Sequence, residues 1–289
     1  MTSFDPRVTP ARPDLAARFL EGQVESACFV DAEVREVVDA QAPLRRLPTP
    51  DAALDTEALM GERVNVYEIT EEGWAWGQLD SDGYVGWLPA NALSAPGPAP
   101  THRVKSLRTF IFPGPSIKLP PIAAPSLGAR VSVVRVQDRF AVTGSGGYMP
   151  ARHLATLDDL ETDFVAVAER FLGVPYLWGG KTSLGLDCSG LVQVALQACG
   201  IACPRDSDMQ MQMLGRSIIQ TDSLRLQRGD LLFWHGHVAI VRDPSTLIHA
   251  NAFSMAVAIE PITEVRERIR SVDGELIDIR RFDNRPGYR

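Results

Sequence analysis

The sequence predicts a multidomain chain: two small β-barrels followed by an α+β domain. Three observations carry that expectation. Two stretches repeat one short-strand pattern, a proline-rich joint separates them, and the texture turns helical after residue 156 before returning to strands. The 289 residues suit two or three domains of the usual ~100–200 residues.

The first stretch, LMGERVNVYEITEEGWAWGQLDSDGYVGWLPANAL, spans 59–93; the second, SLGARVSVVRVQDRFAVTGSGGYMPARHL, spans 126–154. Both read Gly-x-Arg-Val-x-Val, then Gly-Tyr, then Pro-Ala-x-x-Leu. Gly61 thus matches Gly128, Tyr84 matches Tyr148 and Pro89 matches Pro150. Between these anchors, runs such as VNVYEI and VSVVRV alternate with the period of a strand, and EEG, DSDG and GSGG supply turns. The joint SAPGPAP lies at 94–100. These features divide the chain into an N-terminal extension with a first barrel (1–97), a second barrel (98–156) and a third domain (157–289). FPGPSIKLPPIAAP, within the second barrel, is too proline-rich for a central strand and is expected as a loop. Trp74, Trp76 and Trp87 belong to the barrel pattern and are expected as core or groove wall.

In the third domain, LDDLETDFVAVAERFLG places Phe164, Val167, Ala168, Phe171 and Leu172 at helical spacing, and Gly173 and Pro175 stop the helix. VPYLWGGKTSLGLD reads as loop. CSGLVQVALQACG predicts a helix that starts at or just before Cys188 and ends at Gly200. DLLFWHGHVAIVRD, TLIHANA, AVAIEPI and ELIDIRRF predict strands, which gives helices followed by an antiparallel sheet.

Charge narrows the partners. Lys and Arg total 29 against 36 Asp and Glu, a net −7, so neither nucleic acid nor an anionic membrane is expected to bind. The N-terminus lacks the basic start and apolar core of a secretory signal, and no run approaches the ~18 apolar residues of a membrane span. The expected address is the cytoplasm. Cys28, Cys188, Cys199 and Cys203 are too few for a disulfide scaffold and are expected as free thiols. CGIAC spaces Cys199 and Cys203 as C-x3-C without a second close pair, so neither a metal nor another cofactor is expected.

Cys188 sits between Asp187 and Ser189, ahead of an apolar run. Such a cysteine is either a small buried residue at a helix start or a nucleophile. A nucleophile needs activation, since a free thiol ionises only near pH ~8.5; a helix N-terminus and a histidine supply it. His102 and His153 lie before the third domain, and His235 adjoins Gly236 in a turn-like segment. His237 opens the strand HVAIV, and His249 follows twelve residues later in LIHANA. Neighbouring antiparallel strands would bring these two together, one as base and one to orient it.

The same residues carry a resemblance. Asp-Cys-Ser-Gly-Leu-Val at 187–192, Arg-Gly-Asp-Leu at 228–231, His-Val-Ala-Ile at 237–240 and Ile-His-Ala at 248–250 resemble the NlpC-type cysteine peptidases of bacterial cell-wall metabolism. The likeness spans about 160–285 and implies a papain-like catalytic domain. It implies that Cys188 is the nucleophile, His237 the base and His249 its orienting partner, with Tyr176 assisting nearby. With paired SH3-like barrels upstream, the chain resembles the γ-D-glutamyl-L-diamino-acid endopeptidases. That implies hydrolysis of murein peptides with a free N-terminal L-Ala, between D-Glu and the diamino acid, in wall-peptide recycling. The resemblance also implies that the first barrel closes one end of the groove. It implies substrate contacts from Trp178, Asp187 and Ser189, and an amine pocket using Asp206, Ser207, Tyr84 and a first-barrel glutamate, Glu62 or Glu57. Asp206 has an alternative reading as a helix N-cap. Two other functions stay open at this level: a non-catalytic wall-binding protein, and an amidase or acyltransferase on another substrate. The diamino acid and the oligomeric state are not encoded in any motif.

Overall fold

The computed structural model describes residues 4–218, 225–272 and 274–282. The chain divides into two units, Met1–Asp158 and Asp159–Arg289.

The first unit begins with a strap in which β1 (Ala16–Ala17) and β2 (Phe29–Val30) pair in parallel. Arg12 of the strap sits 4.3 Å from the Trp76 ring centre and 5.0 Å from that of Trp87. Its guanidinium also meets Glu68 at 2.6 Å and Asp14 at 2.7 Å. A cation over two indole faces, neutralised by carboxylates, explains why this strap lies flat on the tryptophans. Trp76 and Trp87 are buried and Trp74 half-buried.

Seven strands follow: β3 (Glu33–Val37), β4 (Gln41–Arg45), β5 (Leu54–Leu59), β6 (Arg63–Ile69), β7 (Trp74–Leu79), β8 (Val85–Pro89) and β9 (Leu93–Ser94). They form one antiparallel sheet in the order β5-β4-β8-β7-β6-β3-β9. Val64 and Val66 of β6 turn inward at period two and join Val37, Leu44, Leu79, Tyr84 and Leu88 in the core. Next come β10 (His102–Val104), β11 (Arg130–Val131), β12 (Val133–Gln137), β13 (Phe140–Thr143), β14 (Tyr148–Pro150) and β15 (Leu154–Thr156). These make two three-stranded sheets, β11-β10-β15 and β12-β13-β14. The proline-rich loop is held by isolated bridges, Ile111 to Ala123 and Phe112 to Tyr148.

The sequence repeat has a backbone counterpart. Gly61 (φ 79°) and Gly128 (φ 92°) each take a left-handed turn before an alternating run. Pro89 and Pro150 each lead into one 3₁₀ turn, Ala90–Ala92 and Ala151–His153. The matched tyrosines diverge: Tyr84 lies in the core and Tyr148 is half-buried.

The second unit opens with α1 (Phe164–Glu169), where Asp163 caps the N–H groups of Val165 and Ala166 at 2.9 and 3.2 Å. The helix ends at Glu169, short of the expected Leu172. The expected loop contains a small hairpin, β16 (Lys181–Thr182) and β17 (Gly185–Leu186). Then come α2 (Cys188–Ala198), α3 (Ser207–Met213), β18 (Arg216–Ser217), β19 (Leu231–Trp234), β20 (His237–Val241), β21 (Thr246–Asn251), β22 (Ala256–Pro261), α4 (Ile262–Arg270) and β23 (Asp278–Arg281). The six strands form an antiparallel sheet, β18-β23-β19-β20-β21-β22. α2 packs on β20 and β21 with Leu191, Val192, Ala195 and Leu196 fully buried. α4 is formed by the charged run ITEVRERIR, of which only Ile262 and Val265 are buried. Among the described residues no helix is long and apolar enough to cross a membrane.

Candidate active site

α2 starts where it does because Asp187 caps it. Its Oδ1 accepts the Gly190 N–H at 2.7 Å, and its Oδ2 accepts the Gly179 N–H at 2.8 Å. Arg205 clamps the same carboxylate from inside, Nη1 to Oδ1 at 3.0 Å and Nη2 to Oδ2 at 2.8 Å. Arg205 also donates to Ser189 Oγ at 2.8 Å and to the Gly180 carbonyl at 3.2 Å. Gly190 lets the loop come this close, since a Cβ there would stand 2.3 Å from Gly180 O.

This cap sets Cys188 in the first turn of α2, 7% exposed. Opposite it, β19 and β20 are joined by the two-residue turn His235–Gly236, with Trp234 paired to His237. Gly236 turns at φ 70°, which glycine tolerates. The turn brings the Gly236 carbonyl 4.0 Å from Cys188 Sγ, and the Val238 backbone N–H also acts on the thiol. His237 lies between those two residues. His235 is exposed on the turn.

From His237 a chain of polar contacts runs diagonally across three strands. β20 and β21 pair Ile240 with Ile248, and this register continued sets Ala239 against His249, with His237 one step diagonal on the same face. His237 Nε2 and His249 Nδ1 are 2.8 Å apart, with ring centres at 5.1 Å. β21 and β22 pair Leu247 with Glu260, again diagonal to His249. His249 Nε2 lies 2.8 Å from Glu260 Oε2. Arg268 of α4 holds both Glu260 oxygens, at 2.9 and 3.0 Å, and stacks over Phe253 at 4.1 Å. His249 is 1% exposed and Asn251 is buried beside the same carboxylate.

Burial disfavours charge on both Cys188 and His237. Burial pushes the Cys188 thiol up to about 12, with Asp187 adding to it, against backbone N–H groups that pull the other way. Burial, then His249, pushes His237 down to about 3. Burial thus opposes the charged form of both groups, against the pull of the helix terminus on the thiol. Hydrogen bonds from His249 and Arg268 hold Glu260 down at about 2, against its burial.

The other expected site residues have different surroundings. Tyr176 is half-buried, and burial together with nearby Cys188 raises its hydroxyl pKa. Trp178 is 67% exposed. Asp187 and Ser189, expected as groove residues, are buried and bound to Arg205 as described, so capping and clamping engage both Asp187 oxygens. Asp206 occupies the N-cap position of α3 but makes no side-chain cap bond, and Ser207 begins that helix; both are half-buried. In the first unit, Glu62 is buried with Oε2 accepting the Leu59 N–H at 2.8 Å, Glu57 is buried in β5, and Tyr84 is in the core of the seven-stranded sheet. Sequence reasoning misses Glu260, Arg268 and Arg205. Arg205 stands directly before Asp206 in PRDS, and the need of a buried Asp187 for a cationic partner is the signal that points to it.

One helix thus carries Cys188, and the sheet carries the His237–His249 pair. Residues 173–271 match the NlpC/P60 family, and residues 44–93 match the bacterial dipeptidyl-peptidase SH3 domain. The chain thus joins an N-terminal SH3 domain to an NlpC/P60 domain. A γ-D-glutamyl-L-lysine dipeptidyl-peptidase of Bacillus cereus is 27% identical over 303 aligned positions, covering 84% of this chain and 88% of the relative. A γ-DL-glutamyl hydrolase of Bacillus subtilis is 34% identical over 48% of this chain and 34% of its own length. The crystal structure of an NlpC/P60 family protein from Bacillus cereus superposes with a TM-score of 0.71 at 21% identity, covering 86% of this chain and 99% of that one, and shows the shared fold.

Proposed function

We propose that the protein is a cysteine endopeptidase that hydrolyses the γ-D-glutamyl-L-diamino-acid bond of murein peptides. The observation that carries this reading is the Cys188, His237 and His249 arrangement on α2, β20 and β21. The two relatives named above, each described by a γ-glutamyl linkage, supply the acyl side of the bond.

In this reading Cys188 Sγ attacks the γ-carbonyl carbon while its proton passes to His237. The Cys188 backbone N–H, at the helix start, and the Tyr176 hydroxyl donate to the oxyanion. The proton on His237 then goes to the leaving amine of the diamino acid, and a thioester remains. His237 next takes a proton from water, whose oxygen attacks the thioester; the acyl product departs and the thiol is restored.

We also read residues 98–156 as a second SH3-like module, supported by the turn glycine and the proline-led 3₁₀ turn that it shares with the first. The helix-on-sheet arrangement around Cys188 supports a papain-like class. Recycling of short peptides, and hence a cytoplasmic setting, complete the proposal; cell fractionation checks the setting. Substrates with a free L-Ala amine are expected to be preferred. Mass spectrometry of products from L-Ala-γ-D-Glu-diaminopimelate and its N-acetylated form tests bond and preference together. Release of L-Ala-γ-D-Glu, much slower from the acetylated peptide, is expected. Cleavage elsewhere contradicts the bond assignment, and equal rates contradict the preference for a free amine.

A further inference from the structure

We infer that Glu260, neutralised by Arg268, is a positioning residue that fixes the proton arrangement of both imidazoles and so aims a free His237 Nδ1 at Cys188. The inference rests on the catalytic reading of Cys188 and His237 but not on the identity of the substrate.

Donor and acceptor roles fix the proton positions one after another along the chain of contacts. An ionised carboxylate only accepts, so at 2.8 Å the Glu260 Oε2 takes a proton from His249 Nε2. In the neutral form that we assign to His249 the imidazole carries one N–H, so its Nδ1 is then an acceptor. His237 Nε2, 2.8 Å away, must donate to it. The remaining nitrogen of His237, Nδ1, is left as the lone-pair nitrogen that a general base requires. Reversing the first bond would reverse every later one and put a proton on Nδ1.

Arg268 has a separate part. A bare carboxylate beside His249 would favour an imidazolium there, whose two N–H groups would turn His237 round. Two bonds from Arg268, at 2.9 Å to Oε1 and 3.0 Å to Oε2, offset that charge, and Oε2 accepts from His249 through its other lone pair. The groups acting on the imidazoles are thus Glu260 from β22, Arg268 from α4 and each ring on the other; Asn251 Nδ2 lies 3.4 Å from the same carboxylate oxygen. Asp187, Arg205 and Tyr176 surround the thiol.

Glu260→Gln and Arg268→Gln test this with opposite signs. The readout is the pH dependence of Cys188 alkylation by iodoacetamide, followed on the Cys188 peptide by mass spectrometry, which needs no substrate. Removing the anion weakens the imidazole pair as a base, so in Glu260→Gln the alkylation midpoint is expected to rise by about one pH unit or more. Removing the cation strengthens it, so in Arg268→Gln the midpoint is expected to fall. With a cleavable peptide, kcat of Glu260→Gln is expected to drop about 10- to 100-fold with KM little changed. Midpoints that stay at the wild-type value, or move the same way in both variants, overturn the inference. If wild-type protein cleaves no murein peptide while the midpoints move apart, the substrate reading fails and the positioning role stands.

Discussion

Arg205 lies 1% exposed with both guanidinium ends on Asp187, so the cap of α2 rests on a buried ion pair. Such a pair tolerates loss of one partner badly, because the other charge stays buried without compensation. Arg205→Met is expected to cost about 3–5 kcal/mol of stability, measured by urea denaturation, and to lower activity through a loosened first turn of α2. A loss below about 1 kcal/mol, the range of exposed pairs, would show that solvent reaches the Asp187 carboxylate. At this scale the sequence is readable for chemistry and less so for structure. Cys188, His237 and His249 are recognisable by type and spacing. Asp187 and Ser189 read as groove residues because their motif position says nothing of Arg205, sixteen or more residues away. Glu260 is unreadable for a similar reason: its partner His249 lies one strand over and one diagonal step along, which no linear spacing reveals.

Elements explain how those residues meet. α2 approaches the loop before it so closely that a Cβ on Gly190 would lie 2.3 Å from Gly180 O, a backbone atom that cannot swing away. Gly190→Ala must therefore shift the helix start. Overpacking of this kind costs about 1–3 kcal/mol, and the shift is expected to reduce turnover by moving Cys188 from the Gly236 turn. Gly144→Ala is the matched control, because its Cβ meets only ordinary contacts from 3.5 Å outward. Thermal melts and turnover of the two variants check this; equal behaviour would mean that the α2 approach is not tight. The strands β19 to β23 are legible from alternation and turn residues, and so is α2 from its apolar run. α4 is not, since a helix with two buried residues leaves almost no apolar stripe to read.

At the level of the whole molecule, the chain divides its work between two units. The first is built from a repeated strand pattern whose glycines and prolines recur in the backbone, which is why the repeat is legible in the amino-acid order alone. Its tryptophans are legible as barrel residues, but the strap that covers them is not, because one arginine between two indoles leaves no periodic signature. The second unit carries the thiol, both imidazoles and Glu260 on one helix and three adjacent strands. Burial opposes charge on both the thiol and the His237 imidazole, and in the proposed mechanism attack by Cys188 is coupled to proton transfer to His237. The decisive measurement is rapid-quench mass spectrometry of the enzyme during turnover of L-Ala-γ-D-Glu-diaminopimelate. An L-Ala-γ-D-Glu acyl group on the Cys188 peptide, lost with the rate of turnover and missing in Cys188→Ser, is expected. Steady hydrolysis with Cys188 unmodified at every time, or undiminished in Cys188→Ser, would contradict the thioester mechanism.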